Sequence, residues 1–275
     1  METYTESDGG LTRIFTYHPE KSLHFKTERQ TVDILDTEAF GRTLFIDGIS
    51  QSSQKDEAIY HEHLVHPLLS HFSPDKPISV CILGGGEGAT AREVLKWKNV
   101  DQVTMIDWDH ELIEHFRTKE LAWHQGSFSD PRLIVETRDI FELFKEDRQY
   151  DAIIVDLTDP VPTDPFWASL IRNLYRWLRW GGGLVINAGG VLPWNCVSLN
   201  YVEGLLKHVI NDEELDLAVR SYKIYVPSFG REWAFCLMLC EDKLLFEKGY
   251  TPDFSYQYFS GHVDTINAWK GYEER

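Results

Sequence analysis

Three consecutive glycines, an acid and a fourth glycine run from Gly84 to Gly88, with Glu87 as the acid. They stand between a short apolar run (Val80, Cys81, Ile82, Leu83) and a helical pattern that begins at Ala91. This order describes a strand turning tightly into a helix through backbone that a flat ligand can approach closely. A glycine turn alone is common in α/β proteins. Glu87 sets this one apart, because a phosphate-binding turn offers N–H groups and a helix N-terminus to an anion, and a carboxylate there repels it. The turn points to a nucleoside-like ligand that carries positive charge where a dinucleotide carries phosphates.

The rest of the chain arranges itself around that turn. After a turn-rich break at 73–77, strands are expected at 78–83, 102–106, 132–136, 152–155 and 183–187, with helices at 90–98, 109–118, 140–145 and 166–179. Such alternation predicts a Rossmann-like, doubly wound parallel sheet of the methyltransferase type. Two apolar runs at 218–225 and 232–239 are close enough to pair as an antiparallel C-terminal edge. Upstream, the short β-branched and aromatic segments 11–17, 22–28, 31–36 and 43–47 are separated by turn residues. They predict a small N-terminal antiparallel β domain over 1–55, followed by a Rossmann-like catalytic domain over 56–275. Residues 56–72 read as a helix, with a kink or restart expected at Pro67. His61, His63 and His66 on it lack the His-Glu-x-x-His spacing of a zinc site, since Val65 stands at the fifth position, and no metal is expected.

Composition narrows the partners. The formal net charge of −17 disfavours nucleic acid and anionic membranes. Taken alone it fits solubility as well as attraction of a cation. No apolar run approaches the roughly 20 residues of a membrane span. The four cysteines are scattered, and the first residues are acidic and polar, without the pattern of a targeting segment. The expectation is a reduced, cytoplasmic protein. The Trp- and Tyr-rich stretch 166–180 reads as core and subunit interface, and 250–275, aromatic and polar, receives no role.

In an open α/β sheet the ligand lies beyond the carboxyl ends of the strands. Four successive expected strand ends each present an acid: Glu87 in the glycine turn, Asp107, Asp139, and Asp156 with Asp159. Asp107 follows the glycines by about twenty residues, where an acid accepts both ribose hydroxyls of a nucleoside. Asp139 suits a hydrogen bond from an adenine amino group. Glu87, Asp156 and Asp159 are left over, three carboxylates with no basic partner in their own segments. They suit a diamine or triamine. The combination indicates a nucleoside-bearing donor and an amine acceptor.

At this point the motifs resemble those of the polyamine aminopropyltransferases, the spermidine and spermine synthase family. The resemblance is carried by the run from Gly84 to Leu95, by Gly41 to Gly48, by Asp56 to Glu62 and by Asp156 to Val161, in the same order along residues 10–240. It implies transfer of an aminopropyl group from decarboxylated S-adenosylmethionine, a co-substrate, to an amine, with release of methylthioadenosine and no cofactor. It also implies that Gln30, Gly84, Gly86, Asp107, Asp139 and the backbone of Ile140 hold the donor. Glu87, His61, Tyr60, Gln51 and Asp159 would bind amino groups or line their channel, and Asp156 would be the proton acceptor. Family members are dimers or tetramers, so a homodimer or homotetramer is implied.

Departures from the family pattern bear on the acceptor. Typical spermidine synthases carry Asp at the place of Glu87, Gly at Ala89, Glu at Asp107 and Tyr at Phe229. Glu87 with Ala89 and Thr90 is more similar to thermospermine synthases and to bacterial enzymes that use agmatine or triamines. The implied acceptor is therefore longer or guanidino-tailed, with a putrescine-specific spermidine synthase as the alternative. Two other classes stay open. A methyltransferase on the same sheet would bring a donor carboxylate against Glu87 and Asp156, which repel it. A non-catalytic polyamine-binding relative would have no use for both Asp156 and Asp159.

Overall fold

The computed structural model describes residues 1–8, 10–240 and 253–258. Of the C-terminal stretch 250–275, residues 250–252 and 259–275 lie outside the described residues. The first sheet is antiparallel with strands in chain order: β1 (Glu2–Asp8), β2 (Leu11–Lys26), β3 (Thr31–Thr37), β4 (Gly41–Ile46) and β5 (Ile49–Ser53). Two expected strands are one here. The segments 11–17 and 22–28 join in the 16-residue β2, and its pairing with β3 shifts register between His18 and Leu23. A bulge of this kind absorbs the turn residues without ending the strand. β1 went unrecognised because it is largely polar. It pairs with β2 from Glu2↔Tyr17 to Asp8↔Leu11, and its one deeply buried carboxylate, Glu6, is held by Arg13 at 2.6 Å and by Ser50.

The second sheet has seven strands in the order β11-β12-β10-β9-β6-β7-β8. These are β6 (Ile78–Gly84), β7 (Val100–Asp107), β8 (Leu133–Thr137), β9 (Tyr150–Asp156), β10 (Leu178–Val191), β11 (Ala218–Val226) and β12 (Arg231–Leu239). Strands β6 to β10 run parallel, and β12 is antiparallel to both β10 and β11, as the closing hairpin predicted. The central strands are apolar along their length and buried on both faces, which a parallel sheet covered by helices requires. The helices are α1 (Glu57–Leu69), α2 (Ala89–Leu95), α3 (His110–Lys119), α4 (Leu121–His124), α5 (Ile140–Leu143), α6 (Pro165–Leu174) and α7 (Val197–Asp212). The expected helix 166–179 is shorter than its pattern: α6 stops at Leu174, a 3₁₀ turn carries Tyr175–Trp177, and β10 begins at Leu178. No described helix is long and apolar enough to cross a membrane.

Helix α1 carries the site residues nearest the glycine turn, and it runs through Pro67 without restarting. Pro67 has no N–H to give to the carbonyl of His63 four residues earlier. The Tyr222 hydroxyl of β11 donates to that carbonyl instead, at 2.5 Å. We expect Tyr222→Phe to cost about 1–3 kcal/mol, since it withdraws the donor from a buried carbonyl. Urea unfolding measures the loss, and an unchanged midpoint would mean that the carbonyl finds another partner.

The two sheets are tied together beside α1. Arg13 of β2 donates to the carbonyl of Ser228 at 2.8 Å, and the Ser228 N–H donates to Asp56 at 2.6 Å. This holds the 227–229 turn against the start of α1 and brings the ring of Phe229 to 6.2 Å from that of Tyr60.

Candidate active site

The four acid-bearing strand ends are neighbours in space, because β9, β6, β7 and β8 are consecutive in the sheet. The glycine turn sits in the middle of that edge. Gly84, Gly85 and Gly88 all have left-handed φ (+83°, +73° and +80°), and a Cβ on Gly84 would lie 2.2 Å from the carbonyl oxygen of Asp156. The absence of side chains there lets β6 and β9 close up at their ends, so Asp156 lies directly beside the turn.

Asp156 is half-buried and held on both oxygens. Its Oδ1 accepts the Tyr60 hydroxyl at 2.8 Å and its Oδ2 accepts the Thr90 hydroxyl at 2.5 Å. Burial pushes its pKa up, and the nearby Glu87 carboxylate adds to this. The charge on His61 and the bonds from Thr90 and Tyr60 pull the other way. Tyr60, buried beside three acids, is held well above its usual pKa and stays a hydroxyl donor.

Glu87 has a basic partner after all, from a segment 26 residues away: His61 Nε2 lies 3.1 Å from its Oε1. His61 Nδ1 faces both the Glu57 side chain and the Glu57 carbonyl, each at 2.8 Å. Both ring nitrogens thus meet acceptors, so both carry a hydrogen. Burial works against that charge, but Glu57 and Glu87 outweigh it and push the pKa up to about 10. The spacing of Glu87 from His61 was beyond what a segment-by-segment reading could show.

The donor side is built at β7 and β8. Asp107 Oδ1 accepts the Asp109 N–H at 2.9 Å, and its Oδ2 faces Gly86, where a Cβ would come within 3.0 Å. Burial pushes the Asp107 carboxyl up to about 6, helped by the charges of Asp109 and Glu87 against backbone bonds that lower it. Asp139 caps α5 through Phe141 N–H at 2.9 Å, with Ile140 opening that helix, one strand over from Asp107. Gln30 ends a turn whose Thr27 hydroxyl donates to Asp109 at 2.7 Å, which brings the first sheet to this edge. Gln51 is the exception. Its amide bonds the carbonyl of Ile49 at 3.2 Å within β5, and no described contact joins it to the acids.

Asp159 follows Asp156 and is held from β10, where Asn187 donates to it at 3.4 Å and to the Leu157 carbonyl at 3.0 Å. Burial pushes Asp159 up to about 6. Asn187 is oriented in turn by Trp233 Nε1–H at 2.8 Å. Neither was singled out from the sequence, which carries no signal for them. Thr90, Glu57 and Arg92 were missed as well, although all three lie inside the quoted motifs.

Two carboxylates, Glu87 and Asp156, and the His61 imidazolium thus meet at the turn, with a cradle for a flat ligand one strand away. The trio His61, Glu87 and Asp156 has the residue types of a metal site. Glu87 Oε1 and both Asp156 oxygens already have hydrogen-bonding partners that fit a different task, and His61 is protonated on both nitrogens and so has no lone pair to offer.

Residues 57–248 match the spermine/spermidine synthase domain. A polyamine aminopropyltransferase of Synechococcus sp. (strain JA-3-3Ab) is 38% identical over 234 residues, 82% of this chain and 71% of that protein. The polyamine aminopropyltransferase of Saccharolobus solfataricus is 36% identical over 251 residues, 88% and 81% of the two. Among solved structures, a spermidine synthase in complex with the transition-state analogue AdoDATO superposes with a TM-score of 0.83 at 22% identity, covering 96% of this chain and 91% of that one. The spermidine synthase from Thermotoga maritima gives a TM-score of 0.81 at 21% identity, with 96% and 90% covered. At those identities the superpositions speak for the fold alone.

Proposed function

The chain belongs to the spermine/spermidine synthase family, and we propose that it is a polyamine aminopropyltransferase in which Asp156 accepts the proton of the attacking amine. The nitrogen of the acceptor attacks the aminopropyl carbon next to the sulfonium of decarboxylated S-adenosylmethionine. The N–C bond forms and the C–S bond breaks. Its electron pair returns to sulfur, methylthioadenosine leaves, and the amine proton passes to the Asp156 carboxylate. The sulfonium makes the carbon electrophilic, so the transfer calls for no metal or redox cofactor. In this reading Asp107, Asp139, Ile140, Gln30 and the turn at Gly84 and Gly86 hold the donor, and Glu87, His61, Tyr60, Gln51 and Asp159 serve the amine. One observation carries it: the carboxylate at the end of β9 is half-buried, braced on both oxygens by hydroxyls, and placed beside Glu87 at the glycine turn.

The acceptor in this reading is a triamine or a guanidino-tailed amine, as in the agmatine and thermospermine group. What supports it is Phe229, a buried ring packed on Trp233 at 4.5 Å with no hydroxyl to anchor the far amine of a short diamine. Residues 1–55 and 56–275 are kept as separate domains, which the end of the first sheet at Ser53 supports. A cytoplasmic homo-oligomer completes the proposal. Incubation with decarboxylated S-adenosylmethionine and an equimolar mixture of putrescine, agmatine, spermidine and norspermidine, read by product mass, tests both levels. Spermidine or agmatine adducts are expected to dominate. A putrescine adduct ahead of both would overturn the acceptor, and methylated product without any aminopropyl adduct would overturn the reaction.

A pH profile checks the proton acceptor. A base must be ionised to act, so activity is present above its pKa and lost below it. Because burial raises Asp156, and raises Asp159 to about 6, the acid limb of kcat/KM is expected well above the ordinary aspartate range. A limb near pH 4, about where an unperturbed aspartate titrates, would contradict this.

A further inference from the structure

Glu57 and Arg92 have no part in the roles assigned above, yet they stand directly behind them. Arg92 lies on α2, just past the glycine turn, and Glu57 opens α1 four residues before His61. The guanidinium grips the carboxylate with two parallel bonds, NH1 to Oε1 and NH2 to Oε2, both 2.8 Å. Its remaining bonds go to Glu93 Oε1 at 2.8 Å and to the Trp123 carbonyl at 2.5 Å, so the fork cannot rotate. Glu57 Oε2 meanwhile accepts from His61 Nδ1, and His61 Nε2 reaches Glu87. All four side chains of the line Arg92–Glu57–His61–Glu87 are buried or nearly so.

We propose that Glu57, locked by the Arg92 fork, is a positioning residue for the amine site: it keeps His61 doubly protonated, and the Nε2–H of His61 fixes the Glu87 carboxylate for the acceptor. The inference rests on the aminopropyl-transfer reading and deepens it. With Oε1 of Glu87 tied to His61, Oε2 is the oxygen left to receive an ammonium group. A neutral His61 has one hydrogen for two carboxylates, and with Nδ1 keeping it against Glu57 the Glu87 bond is lost. The groups that face the imidazole are Glu57 from its own helix, Glu87 from the turn, the Asp156 charge from β9 and the edge-on ring of Tyr60 at 5.1 Å, with Arg92 acting through Glu57. None of these but Glu57 is gripped by a fixed cation.

The test uses the full chain with Glu57→Gln and Arg92→Lys. Histidine titrations are followed by long-range ¹H–¹⁵N NMR, alongside amine KM, kcat and donor affinity. In Glu57→Gln the His61 titration is expected to fall from about 10 to about 7 or below, so that the ring is largely neutral in an assay at about pH 8. The amine KM is expected to rise at least about tenfold, while kcat at saturating amine and donor affinity change far less. Arg92→Lys keeps the charge but not the parallel pair of bonds, and should shift both readouts in the same direction by less. If either folded variant leaves the His61 titration and the amine KM at wild-type values, the proposal fails, however much stability it loses. Should Glu57→Gln not fold, Arg92→Lys alone decides. The titration does not depend on turnover. A wild-type protein that forms no aminopropyl adduct would sink the functional reading, and an unmoved His61 titration in the variants would sink this one.

Discussion

Asp156→Asn is expected to lower turnover by at least about a hundredfold with donor binding largely kept, roughly 2.7 kcal/mol of barrier. An alkylamine has a pKa near 10.4, so at pH 7.4 only about one molecule in a thousand carries the lone pair that attacks. The wild-type carboxylate removes this obstacle by taking the proton as the N–C bond forms. Asparagine has the same shape, still accepts the Tyr60 hydroxyl through its amide oxygen, and can donate to Thr90 once that hydroxyl rotates. The fold and the donor cradle at Asp107 are therefore undisturbed. What disappears is the base. A signature follows that a misfolded variant would not show: turnover of the variant should climb about tenfold per pH unit below pH 10, as free amine replaces ammonium, whereas the wild type levels off above its acid limb. Single-turnover release of methylthioadenosine measures both. Near-normal turnover of the variant at neutral pH would remove Asp156 from the role.

Strand ends were legible because glycine and aspartate punctuate them. The turn at Gly84–Gly88 and the acids at 107, 139 and 156 were found from local order alone, and the sheet places them side by side. Elements without such punctuation were not legible. α7 begins after Cys196 with no side-chain cap, and β1 is a largely polar strand ordered by its pairing with β2, by the ring of Tyr4 against Phe45 and by the Glu6–Arg13–Ser50 cluster. The same distinction runs through the site. The resemblance pointed to His61 and Glu87 as separate amine ligands, and the ion pair that joins them spans α1 and the turn. Glu57 and Arg92 are 35 residues apart, and Asn187 reaches Asp159 from the next strand. Local pattern reports which side chains stand at an edge. Which of them share a proton depends on packing between segments, and only the folded chain brings that about.

Gly84→Ala is the second change with a large expected effect, and it tests whether the turn serves the strand end beside it. Gly84 pairs with Asp156 across β6 and β9, and its φ is +83°. An alanine pays there for the left-handed backbone, about 1–2 kcal/mol. It also meets the Asp156 carbonyl oxygen at 2.2 Å and the carbonyl carbon at 2.9 Å, backbone atoms that cannot swing away as a side chain could. The two strands must part at their ends, and the carboxylate moves with them. A displacement of about 1 Å at a reacting group can cost a hundredfold, so turnover should fall by about that factor or more, with a stability loss of at least about 3 kcal/mol. Gly126→Ala is the control. Its φ is +96° and a Cβ there meets nothing within 4 Å, so it carries the conformational cost without the clash. Urea unfolding and turnover of the two variants separate the terms. Equal losses in both would mean that the close approach at Gly84 contributes nothing, and that Asp156 keeps its place without it.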